Sequence, residues 1–138
     1  GAPLSMNNEP IQRCFSAAKW EKAGGYCRAL RAGNIIVTSG TVAFDEDGNP
    51  YAPNDVYLQT RRCLEIIEAA LQQLGTDRTR IIATRMYTTN VNWWPEIAKA
   101  HKAFFDGCEP TTMLLGVCAL IGPEYLVEIE AQAQAATP

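Results

Sequence analysis

A single histidine, His101, stands among 138 residues, and the five cysteines contain no CxxC pair. A Cys/His metal site has little to work with, so no metal or other cofactor is expected. The cysteines, Cys14, Cys27, Cys63, Cys108 and Cys118, are odd in number, which suits free thiols in a reducing compartment. No apolar run approaches the ~20 residues of a membrane span. No signal-peptide pattern opens the chain either, so a cytoplasmic protein without a membrane partner is expected. There is no basic run, and a net charge of −3 argues against nucleic acid as the main partner. No phosphate-loop pattern surrounds Gly40, and no nucleotide motif occurs elsewhere.

The composition that remains is ordinary for a globular protein, with 47% apolar and 20% charged residues. The length fits one domain with a single substantial core, assigned to residues 6–138, with GAPLS at 1–5 read as a cloning remnant.

Patterning gives the elements. Residues 6–25 are mixed and polar and read as a short arm or edge strand ending in a turn at Gly24-Gly25. Tyr26 to Leu30 reads as a strand, residues 31–34 as a tight turn, and Ile35 to Phe44 as a strand interrupted at Gly40, where a ligand or another backbone comes close. A polar turn at 45–50 precedes a helix with Asn54 as N-cap and Asp55 just inside. Its apolar stripe runs through Val56, Cys63, Leu64, Ile67, Ala70, Leu71 and Leu74 to a stop at Gly75.

Ile81 to Thr89 is the next strand. Asn92 and Pro95 open a second helix, with Ile97, Ala98, His101, Phe104 and Phe105 on its inner face and Gly107 at its end. The stretch from Glu109 to Ala133 holds two further strands around Gly122-Pro123. In the last, Val127, Ile129 and Ala131 alternate with Glu128, Glu130 and Gln132, so the two sets face opposite sides of a sheet. The order β(β)αβαββ is an α+β layer fold, a mixed sheet with two helices on one face. The uncovered face, apolar yet bearing Glu128 and Glu130, is expected to meet other copies of the chain.

RAGNIIVTSG at 31–40, QT at 59–60, IIATRMYTTN, AHKAFF at 100–105, and PTTMLLGV with LVEIEAQA resemble the Rid family, also called YjgF, from about Tyr26 to Ala133. The resemblance implies a chorismate-mutase-like βαββαβ-type fold assembled as a homotrimer, with small-molecule clefts between subunits. It also implies hydrolysis of reactive enamines and imines, although some relatives carry labels as translation inhibitors or endoribonucleases. Residue by residue, it places Tyr26, Ser39 and Gly40 in the cleft and makes Glu128 the catalytic group that orients water.

The arginine that clamps a substrate carboxylate in deaminating members falls at Thr112, and an asparagine of the second helix falls at Ala98. A threonine hydroxyl cannot supply the paired contacts of a guanidinium, worth roughly 1.5–3 kcal/mol. Substrates without an α-carboxylate are therefore expected, bound by Tyr26, Ser39, Gly40, Arg85, Thr112 and Leu114.

Each candidate has a plainer reading. Glu128 would also serve as an intersubunit hydrogen-bond partner, and Glu130 reads as structural. Arg28 and Arg85 are candidates to replace the clamp, yet Arg85, in mid-strand, would equally be satisfied by Glu128 or Glu130 across a subunit boundary. Tyr26 would donate to a carbonyl, stack on a planar ligand or simply pack. His101 reads as a core or edge residue, and Trp93-Trp94 as a cleft rim or helix-entry packing. A non-enzymatic trimer binding a metabolite or partner is the alternative function, with endoribonuclease or translation inhibitor ranked last.

Overall fold

The structure of the protein, a computed structural model, describes residues 10–135. The remnant read at 1–5 lies outside them. Its elements, numbered in chain order, are β1 (Ile11–Cys14), α1 (Trp20–Gly24), β2 (Ala29–Ala32), β3 (Ile35–Thr38), β4 (Thr41–Val42), α2 (Val56–Gln73), β5 (Ile81–Thr88), α3 (Trp94–Phe104), β6 (Thr111–Gly116) and β7 (Val127–Gln134). They form an α+β fold with one mixed sheet in the order β1-β2-β3-β7-β5-β6, β4 also pairing with β7. Among the described residues only the β5–β6 pair is parallel. β7, last in the chain, is central in the sheet and pairs antiparallel with β3, β4 and β5.

The alternation read in β7 is realised. Val127, Ile129, Ala131 and Ala133 are buried beneath the helices, while Glu128, Glu130 and Gln132 lie on the other face and are partly exposed. Their buried partners come from the helical stripes, among them Leu64, Ile67 and Leu71 of α2 and Ile97 and Phe104 of α3. The QT pair has a physical role. Gln59 is fully buried, and its amide nitrogen donates to the carbonyls of Tyr51, Ala52 and Glu124 while its oxygen accepts from the Leu126 amide. One side chain thus ties two loops to α2.

Four details differ from the sequence reading. The arm contains α1, too short to show a helical period, closed by Gly25 at φ 72° in the left-handed region. β2 begins at Ala29 rather than Tyr26, because the chain leaving Gly25 must first turn onto the sheet. Asp55, not Asn54, caps α2, its carboxylate accepting from the Leu58 amide. A 3-10 turn capped by Asn90, rather than Asn92, leads into α3, with Pro95 in its first turn. Among the described residues no helix is long and apolar enough to cross a membrane.

Candidate functional site

At the break between β3 and β4 the chain passes Ser39 and Gly40, opposite Glu128 of β7. These three residues, with Tyr26, Arg28, Trp20 and Ile121 among others, line a cleft of about 620 Å³. Gly40 is needed for its shape. A Cβ there would overlap the Glu128 carboxylate, whose Cδ lies 3.1 Å from the built position. Gly24 serves Tyr26 in the same way, because a side chain there would strike the tyrosine ring 2.9 Å away.

The loops of this cleft are fixed from below. Arg28, 2% exposed, pairs through Nε with Oε2 of Glu21 at 3.1 Å and donates through Nη1 to the Gly40 carbonyl at 2.7 Å and Thr41 Oγ1 at 3.2 Å. The Glu21 carboxylate also accepts from the amide and hydroxyl of Ser16. Ser39 donates its hydroxyl to the Cys27 carbonyl (2.7 Å) and its amide to the Arg28 carbonyl (2.9 Å), leaving hydroxyl lone pairs to accept from a ligand. The Ser39 amide is therefore already committed.

Burial pushes the Glu128 carboxyl above the usual carboxylate range; Arg28 opposes this and Glu130 adds to it. The folded state thus holds this proton more tightly than the unfolded chain. Its stabilising contribution is full below the ordinary glutamate value and is lost as pH rises through the folded one. Glu128→Gln should accordingly melt higher than the native protein at pH 7, the difference vanishing below about pH 4. Thermal melts across this range check it, and parallel profiles would contradict it.

Thr112 and Leu114 lie elsewhere. They project from β6 toward α3 into a second cleft of about 360 Å³, walled by Met86, Trp94, Ile97, Ala98, His101 and Phe105 and rimmed by Lys102 and Glu109. The two clefts share no lining residue. Within it Thr112 Oγ1 lies 2.6 Å from Thr84 Oγ1, which is 2.9 Å from Nε2 of His101. Burial lowers the His101 pKa, and its ring packs on Phe105 with centroids 4.6 Å apart. Of the tryptophan pair, Trp94 rims this cleft and Trp93 packs on the core.

Arg85 lines neither cleft. It stands on the open sheet face opposite Glu130 in the β5–β7 register, with Nη1 3.5 Å from Oε1. Its counterion is thus in its own chain. In an isolated chain, with both side chains more than a third exposed, the pair is worth little, and Arg85→Ala would change stability by less than about 1 kcal/mol in urea melts. A larger loss would mean that this face is buried in solution.

The five cysteines are free, and burial pushes the Cys63 thiol far up. Among the described residues no three His, Cys, Asp or Glu side chains gather as metal ligands would. Sequence reasoning missed Glu21 and treated Arg28 only as a possible clamp. Their pairing, seven residues apart across α1 and the following turn, leaves no periodic signal.

A family model described as Endoribonuclease L-PSP matches residues 16–135. An uncharacterized protein of Streptomyces coelicolor is 32% identical over 128 residues, 93% of this chain and 95% of its own length. A solved member of the YjgF/YER057c/UK114 family from Mycobacterium tuberculosis aligns with a TM-score of 0.83 at 36% identity, covering 91% of this chain and 100% of that one. A solved protein of the Rid family from Yersinia pestis aligns with a TM-score of 0.82 at 28% identity, again over 91% and 100%. With a mixed sheet backed by two helices and a family match spanning residues 16–135, the chain belongs to the endoribonuclease L-PSP family, also known as YjgF or Rid.

Proposed function

We propose that the protein binds a small carbonyl or imine metabolite in clefts between the subunits of a homotrimer and hydrolyses enamines or imines that lack an α-carboxylate. The observation that carries this reading is the half-buried Glu128 carboxylate, lodged against Gly40 in a cleft with Tyr26 and Ser39. A carboxylate whose pKa is raised is a stronger base than one in water, suited to take a proton from water attacking the C=N carbon. Collapse of the resulting adduct releases ammonia and leaves a carbonyl product.

Subunit association supplies the rest of the site. The open sheet face exposes Ile35, Val37, Met113 and Leu115, each more than 40% accessible, and burying them against neighbouring copies is favourable. The Thr112 cleft of one subunit would then complete the Glu128 cleft of another. A monomer in light scattering at micromolar concentration would overturn the trimer. Arg28 is committed to Glu21 and Gly40, and Thr112 carries no charge, so the expected substrate has no carboxylate to anchor.

The direct test is ammonia release from imines generated in situ, comparing the native protein with Glu128→Gln. A loss of about 100-fold or more is expected, and equal rates would remove Glu128 from the chemistry. Thr112 also favours the second reading, a trimer that binds a metabolite or partner without turnover. Ligand-induced thermal shifts with no ammonia release from any imine would establish that reading instead. An RNA-cleaving role fits poorly with a net charge of −3 and no basic run.

A further inference from the structure

The second cleft contains a chain of hydrogen-bonding groups that the glutamate cleft does not need. We infer that His101 and Thr84 position the Thr112 hydroxyl as a donor for a neutral carbonyl oxygen, so that this cleft selects ligands with an apolar body and an uncharged C=O group. The inference rests on the binding role proposed for the cleft and names the class of ligand it takes.

The chain runs His101 Nε2, Thr84 Oγ1, Thr112 Oγ1, with spacings of 2.9 and 2.6 Å. A hydroxyl has one proton to give. In the inferred arrangement Thr84 gives its proton to Thr112 and accepts from an Nε2–H of His101; the opposite order, Thr112 to Thr84 to a bare Nε2, has the same spacings and is told apart by the tautomer. The Thr112 proton is then available to the cavity. Thr84 is 1% exposed, so it has no water to turn toward and is held in the chain. Burial, which disfavours the charged ring, makes His101 a neutral link, and Phe105 packs against the imidazole at a tilt of 48°.

The remaining walls decide the ligand's charge. Met86, Trp94, Ile97 and Leu114 are apolar, and the rim charges Lys102 and Glu109 are of opposite sign. A carboxylate entering there would lose its hydration for one neutral hydroxyl and a rim where the charge of Glu109 opposes that of Lys102, a poor exchange. A ketone, aldehyde or amide oxygen needs one donor, and Thr112 supplies it.

Acetophenone and phenylglyoxylate test the inference, because they share a phenyl ketone and differ by a methyl or a carboxylate. The one histidine makes long-range proton–nitrogen spectra unambiguous. The Nε2–H tautomer is expected in the free protein, its nitrogen signals shifting as acetophenone is added. Acetophenone should bind about tenfold tighter than phenylglyoxylate, Thr112→Val should lose about tenfold in acetophenone affinity, and Thr112→Ser should recover it. An Nδ1–H tautomer, equal affinities for the two probes, or full affinity in Thr112→Val would each overturn the inference. Binding here is measured without turnover, so the two readings can fail separately. Thr112-dependent acetophenone binding without imine hydrolysis removes only the hydrolase reading, whereas Glu128-dependent hydrolysis with Thr112→Val neutral removes only this inference.

Discussion

Glu21→Ala is expected to lower stability by about 3–5 kcal/mol, with the melting temperature falling by on the order of 10 °C. Glu21 and Arg28 are 3% and 2% exposed, so removing the carboxylate strands a guanidinium that water cannot reach. The amide and hydroxyl of Ser16 lose their acceptor in the same step. The penalty belongs to the uncompensated charge more than to the lost bond. Adding Arg28→Met to Glu21→Ala should therefore recover part of the loss, which urea melts of the four proteins of the cycle would measure. A double variant no more stable than Glu21→Ala would show that the charge is not what destabilises. Because Arg28 also holds the Gly40 carbonyl, Glu21→Ala should weaken ligand binding at a temperature where the variant is still folded.

Gly40→Ala should do the opposite, leaving the fold nearly intact while abolishing function. The three atoms nearest the added methyl all belong to Glu128, and the overlapping one is the end of a flexible side chain that can rotate away. The expected stability cost is small, below about 1 kcal/mol. On the proposed chemistry turnover depends on where the carboxylate sits, and displacing Glu128 as general base would forfeit on the order of 100-fold in rate. Ammonia release measured beside a thermal melt separates the two effects. A variant with native turnover would mean that the position of Glu128 over Gly40 is incidental to the chemistry.

Much of the fold could be read from periodicity because the buried faces are regular. β7 announces itself through Val127, Ile129 and Ala131, and α2 through a stripe that buries Leu64, Ile67 and Leu71. α1 could not be read, since five residues make little more than one turn. The cap of α2 was misplaced by one residue because Asn54 and Asp55 are both competent caps, and only the backbone decides which is extended. For the site, the family resemblance pointed to Glu128, Gly40 and Thr112, but their division between two clefts is a property of topology. β4 carries the glycine turn to β7, while parallel pairing of β6 with β5 turns Thr112 to the helix side. Arg85 faces Glu130 because the β5–β7 register puts it there, and that register depends on a bulge near Ile81 and Ala83. Pairs such as Glu21 with Arg28 arise only when a turn brings two segments together.

The place of β7 also governs how the chain reaches its fold. Synthesis delivers β3 and β5 before the strand that belongs between them, so until residues 127–134 emerge, two strands wait with the flanks that β7 will cover unpaired. Sheet completion therefore waits for residues 127–134, and long-range pairings such as Ile36 with Ala133 form only then. A chain that stalls before Val127 presents strand edges able to recruit another copy, and one extended through Gln134 seals them with the same strand that brings Glu128 to its cleft.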